Sequence, residues 1–341
     1  MKRTELNEIG EFGLINRVKN QALVSHKSTI FGIGDDAAVI EKNENEVLVL
    51  TTDMLVEGIH FDLTYMPLKH LGYKAIAVNI SDIAAMNAIP QQITVSIALS
   101  NRFSLEAVDE LYEGIRKACE SYKVDLVGGD TVASRSGLVL SVTAVGFCRK
   151  EEVTYRSNAR AGDILCVTGD LGGAYMGLQV MEREKQVFLA NPDMQPELEG
   201  KDYVVQRQLR PEARMDVIHE LRELKVLPTS MIDISDGLAS EIFHLSTQSG
   251  LGTEVVEENL PIDKHTYEAA LEFNLDPLTC IMNGGEDYEL LFTIQSSDME
   301  KLRNHPDITM IGRMMEKEAG VYLISKAGNK HPLQAQGWKA F

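Results

Sequence analysis

No stretch of this chain approaches the roughly 20 consecutive apolar residues that a membrane-spanning helix needs. Its opening, MKRTELNEIGEFGLI, also lacks the continuous apolar run of a signal peptide. Basic charge is short: 33 Lys and Arg stand against 51 Asp and Glu, a net charge of −18. A nucleic-acid surface is therefore not expected, because phosphate backbones select basic patches. Cysteine occurs four times, at Cys119, Cys148, Cys166 and Cys280, with no CxxC pair. Free, buried thiols in a reducing compartment, the cytoplasm, are the expectation. Whole motif classes are missing too. There is no GxxxxGK[ST] loop, no HRD or DFG set, no HExxH, no GxSxG elbow and no zinc-like spacing of His and Cys. Nucleotide chemistry in this chain would need neither the P-loop nor the protein-kinase solution.

What is present is an ordinary globular composition, 44% hydrophobic and 25% charged over 341 residues, enough for two domains with separate cores. A polar, aperiodic stretch, RKEEVTYRSNARAGD, divides the chain into 1–150 and 151–341. In the first half the pattern predicts a short amphipathic helix over 5–19 and a strand over Val47–Leu50. It then predicts a helix over Lys69–Ala88, a strand over Ile93–Leu99, a helix from an N-cap at Ser104 to Tyr122, and strands over Val124–Val127 and Leu138–Phe147. The second half should hold strands at Asp163–Thr168, Met231–Ile234 and near 253–257, 287–294, 308–314 and 321–325. Helices should follow Gly173, fill 212–224 and run from Leu238 to Ser249. Strands and helices mix without a clean βαβ series, so both halves read as α+β and not as a Rossmann sheet.

Six places set an acid beside glycine or a hydroxyl. They are Gly34-Asp35-Asp36, Thr51-Thr52-Asp53, Asp82 in a helix of small and apolar residues, Gly128-Gly129-Asp130, Asp233-Ile234-Ser235-Asp236-Gly237, and Gly284-Gly285-Glu286-Asp287. Singly, each reads as readily as a turn or a helix cap. Asp82 and Asp233 fit that reading least, since one lies mid-helix and the other closes an apolar strand. Together, in an acidic chain, repeated carboxylates at strand ends point to several Mg²⁺ ions bridging nucleotide phosphates, because hard oxygens are what magnesium takes.

GIGDDAAVI, TTDMLVEGIHF, YKAIAVNISDIAAMNAIP, VGGDT, YRSNARAGD, DISDGL and GGEDYEL, in this order, resemble the thiamine-monophosphate kinase family. That family lies in the superfamily of aminoimidazole ribonucleotide synthetase, selenophosphate synthetase and a hydrogenase maturation factor. The resemblance runs over nearly the whole chain, to the terminal GWKAF. It implies ATP-dependent phosphorylation of thiamine monophosphate to thiamine diphosphate, the last step of that cofactor's synthesis, with Mg²⁺. The implied fold is a two-domain α+β one, the N-terminal sheet pairing with its copy across a homodimer and a C-terminal α/β sandwich facing it over a cleft. Carried over by position, the resemblance assigns metal to Asp36, Thr51, Thr52, Asp53, Asp82, Asp130, Asp233 and Asp236. Of these, Asp53, Asp130 and Asp236 are the expected catalytic group. Nucleotide contacts fall to Tyr112, Gly129, Asp130, Arg156 and Ser235, and the thiamine moiety to His60, Glu286 and Trp338. Sister activities fit less well. No Cys precedes Cys119 in a glycine-rich loop, as selenophosphate synthetase requires, and the chain ends Lys339-Ala340-Phe341 where the hydrogenase factor needs a Cys. GGEDYEL and GWK also fit the purine enzyme poorly. A silent nucleotide-binding protein on the same scaffold would have less need for every Asp.

Overall fold

The computed structural model describes residues 5–336. Two sheets carry the chain. The first contains β1 (Thr29–Phe31), β2 (Ala38–Glu41), β3 (Glu46–Val56), β4 (Ile89–Leu99), β5 (Asp125–Ala133) and β6 (Val139–Arg149), in the order β1-β2-β3-β6-β4-β5. Neighbours are antiparallel except for the parallel pair β4 and β5. Helix α1 (Gly10–Lys19) precedes this sheet, and α2 (Leu68–Ala85) and α3 (Leu105–Tyr122) belong to it.

The second sheet holds β7 (Ile164–Thr168), β8 (Ser230–Asp233), β9 (Gly252–Val256), β10 (Leu290–Ile294), β11 (Ile308–Met315), β12 (Val321–Ile324) and β13 (Lys330–Pro332). Its order is β13-β12-β9-β11-β7-β10-β8, antiparallel apart from β12 beside β9. Seven helices accompany it among the described residues: α4 (Gly173–Ala190), α5 (Asp202–Leu209), α6 (Met215–Glu223), α7 (Leu238–Ser249), α8 (Lys264–Glu272), α9 (Pro277–Asn283) and the short α10 (Met299–Leu302). The α+β reading holds for both halves.

Side-chain alternation sorts this sheet's two faces. Leu290, Phe292 and Ile294 join a core shared with Ile76, Ile80 and Ile83 of α2, whereas Leu291 joins Leu238, Ile242 and Leu245 of α7. Helix α2 thus lies between the two sheets, which explains why nearly every side chain from Leu71 to Ala85 is buried. Asn79 on this helix is fully buried, and its Oδ1 accepts from the Asp53 amide at 3.1 Å.

Where α2 crosses α3 the backbones nearly touch. A Cβ at Gly114 would lie 1.9 Å from the Lys69 carbonyl oxygen, and one at Gly72 would lie 2.1 Å from that of Leu111. Neither neighbour is a yielding side-chain end, so Gly114→Ala must separate two helices. A loss of about 3 kcal/mol is expected, read as a lower urea midpoint with an unchanged slope; a midpoint shifted by under one-third of that would contradict this packing.

Three boundaries differ from expectation. Strand β3 does not stop at Asp53 but continues to Val56, so Thr51, Thr52 and Asp53 sit inside it. Strand β5 likewise runs through Gly128, Gly129 and Asp130 instead of ending there. In the other direction, the expected strand at 287 begins only at Leu290, because Glu286 and Tyr288 adopt left-handed φ values of 58° and 52°. The four cysteines are free, Cys148, Cys166 and Cys280 being buried.

Candidate active site

Between the sheets opens a cavity of about 540 Å³, a size suited to a small ligand. Its acidic end is lined by Asp53 from β3, Asp82 from α2, Asp233 at the end of β8, and Ser235 and Asp236 from the following turn. One carboxylate oxygen from each of Asp36, Asp82 and Asp233 lies within 4.8 Å of the others. Asp36 and Asp82 are 46 residues apart in sequence and Asp233 lies 151 residues beyond Asp82, but they converge because α2 and β8 pack against each other and the 32–37 turn leads into β2.

Neighbouring side chains fix each carboxylate. Thr51 Oγ1 donates to Asp82 Oδ2 at 2.5 Å, and Ser81 Oγ donates to Asp233 Oδ2 at 2.6 Å. Arg156 Nε and Nη2 grip both oxygens of Asp36 at 3.1 and 2.5 Å, while its backbone amide donates to Asp35. The Asp233–Gly237 turn is held from below. Amides of Ser235 and Asp236 donate to Oε1 of Glu241 at 3.0 and 2.8 Å.

Crowded acids in a buried space resist ionisation. Burial, then the Asp36 charge, pushes Asp53 up to about 6 and Asp233 up to about 7. Asp82 is held well above the usual carboxylate range by burial and by Asp53, Asp233 and Asp36. Asp236 rises to about 6 through burial and Glu11, and Glu241 to about 8 through burial and Asp236. Such a set, hard oxygens with unmet demand for positive charge, fits magnesium by its donor chemistry.

At the other end, His60, Phe61, Asp62 and Tyr65 face Tyr175, Glu182 and Lys185 of α4, with Glu286 along the wall. His60 Nδ1 accepts from the Val56 amide at 3.0 Å, and burial lowers its pKa, favouring the neutral ring. Glu286 accepts from Gln208 Nε2 at 2.6 Å and from Lys74 Nζ at 3.1 Å.

Of the residues expected from the sequence, Asp36, Thr51, Asp53, Asp82, Arg156, Asp233, Ser235 and Asp236 gather at the acidic end, and His60 and Glu286 line the same cavity. Four do not gather there within one chain. Thr52 alternates away from Thr51, is exposed, and donates to the Val142 carbonyl at 3.0 Å. Asp130 is exposed on the edge strand β5, with its Oδ1 accepting from the Thr131 amide at 2.8 Å. In register it follows Ser96, Ser141 and Met54 across the sheet, and therefore shares the outward face with Met54. Gly129 is three strands from Asp53, about 14 Å away at ordinary strand spacing, and its glycine is required locally, since a Cβ would lie 1.8 Å from the Val95 carbonyl oxygen. Tyr112 packs from α3 against the first core. Trp338 lies outside the described residues.

Sequence reasoning missed Lys74, Gln208 and Glu241. For Lys74 a signal existed: Lys74, Val78 and Asp82 recur at intervals of four, the spacing of one helix face. Glu241, fourth residue of α7, had the ordinary appearance of an acid in a helix's first turn.

Residues 34–148 match the N-terminal domain of AIR synthase related proteins, and 160–323 match the C-terminal domain of the same group. The fold and cleft thus define a two-domain protein of the AIR synthase related class. Thiamine-monophosphate kinase of Aquifex aeolicus (strain VF5) is 35% identical over 98% of this chain and 99% of its own. Its counterpart in Bacillus subtilis (strain 168) is also 35% identical, over 97% and 99%. A solved structure of AaThiL complexed with AMPPCP and TMP is 34% identical and superposes with a TM-score of 0.84, all of both chains being covered. The chain belongs to the thiamine-monophosphate kinase family.

Proposed function

We propose that this protein transfers the γ-phosphoryl group of ATP in line to a phosphate oxygen of thiamine monophosphate, giving thiamine diphosphate. The observation that carries the reading is the convergence of Asp53, Asp82, Asp233 and Asp236 from both halves of the chain on one cavity wide enough for a small ligand, with Asp36 within 4.8 Å of Asp82 and Asp233. A relative whose structure holds AMPPCP, a non-transferring ATP analogue, together with TMP supports the choice of donor and acceptor.

Magnesium ions held by Asp36, Asp53, Asp82, Asp233 and Asp236, with Thr51 beside them, would neutralise phosphate oxygens. Thr51 and Ser81 keep Asp82 and Asp233 in one orientation, and Asn79 ties the backbone of Asp53 to α2. Arg156, already aimed at a carboxylate pair, has the planar donors to clamp phosphate when a competing anion arrives. The acceptor is a monoester whose second pKa is near ~6, so its attacking oxygen needs no strong base at neutral pH. Neutral His60 suits a reaction governed by positioning and charge neutralisation, and among the described residues no lysine hydrogen-bonds Asp36, Asp53, Asp82, Asp233 or Asp236.

In this reading 1–150 supplies most of the metal and nucleotide wall, and 151–341 completes the nucleotide and acceptor sites. Two copies of the chain would form a cytoplasmic dimer. All nine residues of β5 are exposed and one edge of that strand is unpaired, the condition under which sheets pair between chains. Thr52 and Asp130, turned away from the cavity of their own chain, stand on that sheet's open side. None of the described helices is long and apolar enough to cross a membrane.

The test is ADP release from Mg·ATP with thiamine monophosphate, thiamine or no acceptor, the product identified by mass. Thiamine diphosphate formed only from the monophosphate is the expected result. ATP binding without turnover on either thiamine compound would overturn the reading.

A further inference from the structure

One cation in the cleft has no task in the reaction as described so far. Lys74 is 1% exposed, yet it lines the cavity on the α2 face that also carries Val78 and Asp82. Its ammonium donates to the Gln208 carbonyl at 3.2 Å and to Glu286 Oε2 at 3.1 Å. A lysine head has three N–H donors, so these two contacts leave one direction over. The cavity's other lysine, Lys185, is committed at its mouth to Asp62 at 2.7 Å and Glu182 at 3.5 Å. Taking an ammonium this far from water is costly, and Glu286, still partly exposed, compensates it incompletely.

The acceptor in the proposed reaction carries both signs, a cationic ring system at one end and a phosphate dianion at the other. Lys74 and Glu286 present the complementary signs side by side, within a cavity whose remaining charged end repels anions. Resting on the kinase reading above, we propose that the Lys74–Glu286 pair is the template for the acceptor: phosphate is bound by Lys74 and the cationic ring faces Glu286. The pair opens to admit a ligand with the same two charges, so neither side chain is left buried and unpaired when the site is full. Lys74 then accounts for selectivity. Unphosphorylated thiamine offers Glu286 a cation but leaves Lys74 without a new partner, whereas the monophosphate satisfies both. This is more than a brace between α2 and α5, which would serve any ligand, or none, equally.

The experiment compares wild type with Lys74→Met, measuring KM for thiamine monophosphate, KM for ATP and the inhibition constant of thiamine. Losing one charge-assisted contact should raise KM for the monophosphate roughly 10- to 100-fold while the ATP KM and the thiamine constant stay within about 3-fold. Lys74→Arg, keeping the charge, should recover at least part of the loss. If wild type fails to phosphorylate the monophosphate, the kinase reading itself falls. If wild type is active and Lys74→Met leaves the monophosphate KM unchanged, or weakens thiamine and monophosphate alike, the template is wrong and Lys74 is a brace. A melting curve accompanies each variant. Should the methionine fold poorly, Lys74→Gln, which keeps a donor for the Gln208 carbonyl without the charge, is expected to give the same selective loss.

Discussion

Asp82→Asn is expected to lower turnover by roughly 10³-fold and, in magnesium-free buffer at pH 7.5, to raise the melting temperature. The two effects have one cause. Asp82 stands at the centre of the acidic end, with Asp53, Asp233 and Asp36 all raising its pKa beyond what burial does. Without cations, folding must bring these carboxylates together against their mutual repulsion. Asparagine keeps the shape but bears neither the buried charge nor the proton uptake that avoids it, and its amide oxygen can still accept from Thr51 Oγ1, which lies 2.5 Å from Asp82 Oδ2. A gain of about 2–4 °C is reasonable, corresponding to about 1 kcal/mol in a chain of this size. Catalysis responds in the opposite sense, because in the proposed reaction that carboxylate would help hold the magnesium that neutralises phosphate oxygens. Scanning calorimetry and coupled ADP release measure both. Full turnover in Asp82→Asn would remove the metal from this cluster. A melting temperature lowered by more than 5 °C, by contrast, would assign Asp82 a packing role, since repulsion relieved cannot destabilise.

This opposition between stability and activity also explains how far the site could be read from sequence. Acids placed where they weaken the fold stand out against local rules, so Asp82 in an apolar helix and Asp233 at a strand end were legible, as was the α+β class from the mixed periodicities. What was not legible depends on distance between strands and on side-chain direction. Thr51 and Thr52 are chemically equal in sequence, but a continuous β3 turns the first inward and the second outward. Gly128-Gly129 reads as the end of the strand over Val124–Val127; the structure has Gly129 inside β5, where the parallel neighbour β4 comes too close for any side chain. Nothing local announces that approach. Tyr112 lay on a helix with regular apolar spacing and went to the core as that spacing requires. Lys74 was overlooked for a different reason. Attention to carboxylates alone concealed that the helix supplying Asp82 delivers a cation two turns earlier on the same face.

A second large effect concerns pH and magnesium together. Asp53 and Asp236 titrate at about 6, and Asp35 and Asp233 at about 7, all raised first by burial from an ordinary value of 3.8. A raised folded-state pKa means that the folded protein holds protons the unfolded chain has released. Its stabilising contribution is complete below about pH 3.8 and disappears as pH climbs through 6 and 7. Glu241, at about 8, extends the loss upward from its own ordinary 4.5. Groups with the opposite sign act elsewhere: His244 is lowered to about 4, and Asp62 to about 2 where Lys185 and Thr64 hydrogen-bond it. Their stabilisation is present at neutral pH and lost toward acid, so neither offsets the decline above pH 6.5. Magnesium-free protein should therefore melt about 5 °C lower at pH 8 than at pH 6, two groups near 7 contributing about 1 kcal/mol each. Added Mg²⁺ binds only carboxylates that have lost their protons, so it should raise the melting temperature at pH 8 far more than at pH 6 and flatten the profile. Calcium-free, EDTA-treated protein melted across this range, with and without excess magnesium, gives both curves. If magnesium raised the melting temperature equally at the two pH values, the acids near 6 and 7 would not be its ligands. If Asp82→Asn retained the full magnesium-dependent rise at pH 8, the ions would bind elsewhere on this acidic surface.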